Sequence, residues 1–333
     1  MVASTLTPEQ RDKILRAATS APSKHNTQPW WFRWDGADLE VHVDPGRVLP
    51  HADPTGREAH IACGAAVFAA RLGYAAAGIA AEPVLLPDGA EPGFVARIHA
   101  VDGAPDARFE TLYWTLPSRR TNRAPFRDTP VPGMLLEQLR DAARDEGTWL
   151  RIVDREPAYE HLLTLIREAT GLEEEHLRDE RARWVAAADE IHRRDGVPAA
   201  SLGPSAAAPT GAVRDLAAGR EIPSRGTAVF ERRPTLAVLE TPADTALDWL
   251  TAGQALMRVL VTGARYGMAA SFANQPLEDP DLRIETASEA KHYGTAQMVL
   301  RMGMGVDVPA TPRRDVADVV RPPRTADAGH PAP

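Results

Sequence analysis

Glu58 to Ala77 constrains the fold more than any other stretch of this chain. Ile61, Ala62, Cys63, Ala65, Ala66, Val67, Phe68, Ala69 and Leu72 make a helix that is apolar almost all the way round. Such a helix belongs in a protein interior or interface. Gly64 and Gly73 allow a neighbouring backbone to come close, and Cys63 in this company reads as a core residue, not a reactive thiol. Gly253 to Gly267 matches Gly64 to Gly78 in spacing and character. The order before each also repeats: an amphipathic helix and then a strand, Leu15 to Trp34 in one case and Leu135 to Val153 in the other. Chance likeness of Ala/Leu-rich helices could explain either pair alone. Both in the same order favour two related halves in one chain.

The remaining elements fit around this frame. Thr7 caps a helix with Pro8 at its first position and Gln10 completing a capping box. Trp30 to Trp34, a turn at Asp35-Gly36, and Leu39, Val41 and Val43 read as a hairpin. Phe94 to Val101, Leu236 to Leu239 and Gln297 to Met302 read as strands, and Glu156 to Ile191 as helix. Residues 193–226 are rich in Gly, Pro, Ala and Ser with little periodicity, which marks a lid, an arm or disorder. The expected organisation is a first half over 1–115 and a second over 116–320 with an inserted helix and lid-like loop at about 156–226. A disordered tail is expected over 321–333. The fold class is α+β, with mostly antiparallel sheets packed by helices and a pseudo-twofold that mimics a homodimer.

Composition narrows the function classes. A net charge of -8 without a basic run argues against nucleic acid. The single cysteine excludes an intramolecular disulfide and a Cys-rich metal site. The histidines lack ligand spacing, and Glu173-Glu174-Glu175-His176 reads as a solvated helix end. No Gly-x-Gly-x-x-Gly, P-loop or Gly-x-Ser-x-Gly is present. No basic segment followed by an apolar run marks a signal peptide, and the apolar stretches are interrupted by charges and glycines. A cytoplasmic protein without membrane partners is the expectation.

Ala21 to Phe32 reads Ala-Pro-Ser-Lys-His-Asn-Thr-Gln-Pro-Trp-Trp-Phe. Its short polar residues sit between a helix and a core strand, which suits recognition of a planar polar ligand; ordinary turn chemistry is the plainer alternative. The pattern Pro-Ser-x-x-Asn-x-Gln-Pro-Trp-x-Phe resembles the flavin loop of the nitroreductase superfamily, and the variant with His-Asn-Thr-Gln-Pro-Trp is most similar to the Acg branch. The resemblance implies FMN at an interface between halves, with Pro22, Ser23 and Asn26 against the flavin ring and His25 and Gln28 close by. His25 could contact flavin or substrate, or be structural.

Ser118-Arg119-Arg120-Thr121-Asn122-Arg123 can bind a phosphate through charge-assisted hydrogen bonds, though short arginine clusters are mostly solvated turns. It resembles the Arg-Arg-Ser-x-Arg phosphate motif that opens nitroreductase domains. That resemblance implies that Arg119, Thr121 and Arg123 hold the FMN phosphate. Thr311-Pro-Arg-Arg-Asp-Val resembles the C-terminal phosphate stretch and points to Arg313, with Arg314 as the alternative. Gly267-Met-Ala-Ala-Ser-Phe-Ala falls where the family touches the flavin N5 side, which implicates Ser271 and Phe272. One copy of each part implies one FMN per chain, in a monomeric pseudo-dimer or a weak homodimer.

No side-chain nucleophile is needed for such chemistry. The reading is an FMN-dependent oxidoreductase, passing hydride between NAD(P)H and a nitroaromatic or quinone acceptor, or oxidising a small metabolite. The alternative is a lid-covered protein that binds or sequesters FMN without conventional nitroreductase activity.

Overall fold

The computed structural model describes residues 5–89, 91–185, 193–208, 212–217, 220–223, 225–288 and 294–323. The chain begins with α1 (Pro8–Thr19), started by the Thr7/Gln10 capping box. The hairpin β1 (Trp30–Asp35) and β2 (Asp38–Val43) follows, turning at Gly36 with φ 59°. Next come α2 (Arg57–Ala76), β3 (Ala80–Leu85), β4 (Phe94–Val101) and α3 (Ala107–Tyr113). The chain continues through α4 (Gly133–Arg144), β5 (Trp149–Val153), α5 (Ala158–Gly171) and α6 (Glu175–Trp184). After β6 (Ser205–Ala206) and β7 (Thr227–Ala228) come β8 (Thr235–Thr241), α7 (Ala246–Arg265) and β9 (Met268–Phe272). The chain closes with α8 (Pro280–Ser288), β10 (Thr295–Met304), α9 (Val316–Val319) and β11 (Val320–Arg321).

Two sheets carry the α+β architecture. One has strand order β11-β1-β2-β4-β3 and the other β5-β8-β10-β9. All pairings within them are antiparallel except β1 with β11, where Phe32 faces Val320. The end of the chain thus completes the sheet its beginning started.

α2 and α7 cross between the sheets. A Cβ on Gly64 would lie 2.1 Å from the Leu250 carbonyl oxygen, and one on Gly253 would lie 2.0 Å from that of Ile61. The two glycines aligned from sequence therefore meet at the crossing, where neither can carry a side chain. Ile61 of α2 joins the core of the second sheet, while Leu250, Met257 and Val261 of α7 join that of the first. α2 has the length and mean hydropathy (1.2) of a membrane span, but 83% of that window is buried inside the protein, as befits a core helix. Cys63 is buried, and burial pushes its thiol well up, so the core assignment stands.

Three expectations change. The helix expected over Glu156–Ile191 is interrupted after Gly171 and resumes at Glu175, with residues 186–192 outside the described set. At the Glu173-Glu174-Glu175-His176 helix end, Glu174, Glu175 and His176 are exposed as expected, but Glu173 is half-buried against Arg181 and Arg214. The tail expected over 321–333 begins with Arg321 paired in β11, and 324–333 lie outside the described residues. β3, α3, β9 and α8 were not read from the sequence.

Gly64→Ala and Gly253→Ala should each cost about 2 kcal/mol or more, because the collision is with backbone that cannot rotate away. Gly133→Ala, with nothing within 4 Å, should cost little. Urea midpoints measured at unchanged m-value test this.

Candidate functional site

The polar loop after α1 is bent hard. His25, Asn26 and Gln28 have φ of 49°, 57° and 51°, left-handed values that non-glycine residues adopt at a cost. Hydrogen bonds hold the bend. The Gln28 amide donates to Ser23 Oγ at 2.9 Å. Asn26 Nδ2 donates to the carbonyls of Gly196 (2.9 Å) and Pro312 (3.0 Å). Gln28 Nε2 donates to Arg194 O at 2.9 Å, and Gln28 Oε1 accepts from the Arg314 amide at 2.9 Å. Asn26 and Gln28 therefore stand behind the wall, stapling residues 194–196 and 312–314 to the loop.

The wall itself faces a cleft of about 880 Å³ including its mouth. Pro22, Ser23 and His25 line one side, Thr121, Arg123, Ser271 and Phe272 the other. Ile61 and Ala62 of α2, Leu256 of α7 and Met298 of β10 supply apolar surface. Thr121 is fixed by a bridge to Ala270 in β9, and Ser271 lies opposite Arg301 in the β9–β10 register. Seven of the twelve residues singled out from sequence share this cleft. Asn26, Gln28, Arg119, Arg313 and Arg314 do not line it.

Charges in and around the cleft fall into two groups. Lys24, Glu58, Glu278 and Arg214 line one end and are mutually paired: Lys24 to Glu58 at 3.2 Å and to Glu278 at 3.0 Å, Arg214 to Glu278 and to Glu173 at 2.6 Å. Burial alone would raise the Glu278 pKa, but Lys24 and Arg214 overcome it and hold the carboxyl well below its usual range. Of the second group, Arg119, Arg123 and Arg313 make no ion pair among the described residues, while Arg314 reaches Asp44 at 3.9 Å. Arg123 donates to Ser201 O at 3.0 Å, and burial pushes its pKa down to about 10. Arg119 and Arg313 both donate to Ser20 O, at 3.2 and 3.3 Å. Arg313 also donates to Asn26 Oδ1 at 2.9 Å and Thr19 O at 2.8 Å, so it caps the C-terminus of α1. Burial, then the neighbouring Arg313 and Arg120, lowers Arg119 to about 9. Arg119 Nε is buried without an acceptor. Arg314 reaches the carbonyls of Gln28 and Trp30 and stays on the hairpin side. His25 is held neutral, its pKa well below the usual value, by burial and then by Lys24 and Arg214.

Three residues from 193–226 reach the cleft. Val213, Arg214 and Leu216 are part of its lining, Gly203 packs against the Arg123 backbone, and Arg47 holds Asp195 at 2.8 Å.

No family model matches the sequence. A Mycobacterium tuberculosis H37Rv protein named "Putative NAD(P)H nitroreductase Rv3131" is 32% identical over 321 residues, 93% of this chain and 90% of its own. The chain belongs to the nitroreductase family. "Putative NAD(P)H nitroreductase acg" of the same strain is 29% identical over 92% of this chain and 93% of its own. Among solved structures, the FMN-dependent nitroreductase NfnB of Mycobacterium smegmatis in complex with NADPH aligns at a TM-score of 0.40 and 18% identity, over 62% of this chain and 95% of its own. A Bacteroides fragilis nitroreductase with bound FMN aligns at 0.37 and 15%, over 66% and 95%.

Sequence reasoning on this nitroreductase missed Asn274, Gln275 and Glu278, which complete the lining. Asn274-Gln275-Pro276 echoes Asn26-Thr27-Gln28-Pro29, and that echo was the available signal. It also missed Arg214, which no motif marks.

Glu173, Asp195 and Glu278 all sit below the usual carboxylate range because their arginine and lysine partners outweigh burial. Their contribution is present above the unfolded pKa of about 4 and is lost as pH falls through the lower folded values. Hydrogen exchange at residues 194–197 and 213–217, corrected for intrinsic rate, should therefore rise as the pH falls below about 4, before the α2 and α7 cores respond. Glu278→Gln should raise exchange in those segments already at pH 7.

Proposed function

We propose that this chain is an FMN-dependent oxidoreductase of the nitroreductase type, carrying hydride between NAD(P)H and a small nitroaromatic, quinone or metabolite partner. The carrying observation is the cleft's chemistry. Its apolar surface is edged by an unpartnered buried acceptor, Gln275 Oε1, and by the acid-free buried guanidinium of Arg123. A flavin's pyrimidine edge offers one N–H donor between carbonyl acceptors, and that is the complement such a rim lacks. FMN, when bound, supplies reversible hydride acceptance at N5.

The chain's own residues supply placement and water exclusion. Ile61, Ala62, Leu256 and Met298 offer apolar surface to a flat ring. With the flavin bound, Gln275 would accept from its N–H edge, and Thr121, Arg123 and Ser271 would donate to its oxygens and ring nitrogens. Arg301, buried on Glu231, donates to Ser271 Oγ at 3.2 Å, leaving the Ser271 proton free for the cleft. Arg119 and Arg120 border a neighbouring space and do not line this cleft, and Arg313 positions the loop behind it. His25, neutral and without a hydrogen-bond partner among the described residues, is a proton donor or acceptor for a substrate. The pairing of an α1–β1 loop from one half with Thr121, Arg123 and Ser271 from the other supports two related halves holding one FMN.

Val213, Arg214 and Leu216 on the cleft wall favour a second reading, in which the covered site binds FMN without admitting a nicotinamide. Anaerobic absorbance of the flavin-loaded protein separates the two: bleaching within seconds of adding NADPH or NADH supports turnover, and persistence of the flavin bands supports sequestration. Deletion of residues 197–223 that leaves the bleaching rate unchanged argues against a blocking lid. Failure to take up any flavin sinks both. Arg123→Gln should weaken FMN binding by about tenfold to a hundredfold, the worth of a hydrogen bond from a charged group, read by titration of flavin fluorescence.

A further inference from the structure

Behind Ser271 on the cleft wall lies a buried charge pair, Arg301 of β10 and Glu231 just ahead of β8. Arg301 is wholly buried and Glu231 nearly so. Arg301 Nε donates to Glu231 Oε1 at 2.6 Å and its Nη2 to Oε2 at 2.7 Å, a fork-to-fork pairing that fixes the guanidinium plane. The guanidinium carbon lies 3.8 Å over the Phe126 ring centroid, and Nη2 also reaches the Ala124 carbonyl at 3.3 Å. Glu231 Oε2 accepts from the Phe126 amide at 2.9 Å as well. The pair is thus built into the stretch that follows Thr121 and Arg123. A buried ion pair is seldom worth more in stability than apolar residues of the same size, so stability alone does not account for it.

One arm of the guanidinium remains. Arg301 Nη1 donates to Ser271 Oγ at 3.2 Å, across the β9–β10 register. A guanidinium donates and never accepts, so the direction of this bond is fixed. The Ser271 hydroxyl has one proton and two lone pairs. Arg301 takes one lone pair, and Oγ has no other partner among the described residues, so the proton cannot be turned to the back of the wall. It is directed to the cleft that Ser271 lines. A ligand acceptor opposite Oγ completes this hydroxyl. A ligand N–H at the same place meets the proton or strands it, and an unmade buried O–H bond is costly.

We propose that Arg301, clamped by Glu231, is a positioning residue that acts through Ser271 and makes the cleft favour the oxidised state of its flavin over the reduced one, with a reducible ring nitrogen opposite the hydroxyl. The proposal rests on the flavin reading of the cleft and extends it to the choice of redox state. Hydride addition turns the flavin N5 from an acceptor into an N–H donor, and Ser271 is set to donate, not to accept. The Arg301 charge is matched by Glu231, so the direction of the hydroxyl carries the effect, not a net charge. A reduced state bound less tightly has a lower midpoint potential and passes hydride on more readily.

Two measurements on the full-length protein test this: titration of the flavin-stripped form with oxidised FMN, and the midpoint potential of the reloaded form, which together give the affinity for each redox state. Ser271→Ala should weaken oxidised FMN about fivefold to tenfold, the worth of one hydrogen bond, and reduced FMN little. The midpoint potential then rises by about 20 to 30 mV, the value of that ratio in a two-electron couple. Ser271→Thr, which keeps the hydroxyl, should keep the wild-type potential. Arg301→Lys keeps the charge but not the fork. It should raise the potential when Ser271 is present and leave it unchanged in the Ser271→Ala background, a coupling that a merely structural role does not give. Equal weakening of both redox states by Ser271→Ala overturns the proposal and leaves the flavin reading intact. So does an Arg301→Lys effect that persists without the hydroxyl. Where Arg301→Lys does not fold, the Ser271 variants decide: a potential that Ser271→Ala leaves unchanged, or that Ser271→Thr raises as much, overturns the proposal. Failure of the wild-type protein to take up any flavin defeats the flavin reading on which it rests.

Discussion

The contact on which the rest depends is the crossing of α2 and α7. Gly64 and Gly253 bring the two backbones so close that a single added carbon on either would meet a carbonyl oxygen of the other helix. Close approach lets each helix serve both cores, and it carries Ile61, Ala62 and Leu256 to the cleft. The apolar surface of the site is thus made of the most buried, least adjustable part of the molecule. Interiors at crystal-like density transmit small displacements, so the site's geometry is tied to the packing of the halves.

Around that floor the protein uses arginine in two opposed ways. Arg181 and Arg214, with Lys24, are matched by Glu58, Glu173 and Glu278, and these groups link the covering segment to the loop, to α2 and to the turn before α8. A buried pair gains little net stability, since desolvation consumes most of the Coulomb attraction, but losing one partner strands a charge. Such a network fixes position more than it adds stability. Among the described residues, Arg119, Arg120 and Arg123 have no acidic partner. Paired charges close the protein on itself.

The loop motif shows how far a sequence pattern reaches. Hydrogen bonds of Ser23, Asn26 and Gln28 hold the bend, yet Ser23 and His25 face the cleft while Asn26 and Gln28 face backward. Three left-handed residues within four positions rotate neighbouring side chains to opposite sides, and no residue-type argument announces that. Arg119 and Arg313 likewise belong to motifs nearly two hundred residues apart. Their sharing of the Ser20 carbonyl follows from the path of the chain, not from either motif.

The sequence by itself determined the interior helices, the capped α1, the β1–β2 hairpin, the α+β class and the family, because these rest on local periodicity, capping chemistry and contiguous motifs. It also marked seven of the residues that meet in the cleft. Tertiary structure alone decided which motif residues face the ligand space, that β11 returns to the first sheet, and that Arg214 crosses from the covering segment to Glu173 and Glu278. Those outcomes depend on long-range register and on charges that meet only after the chain has folded, and neither leaves a local trace in the order of residues.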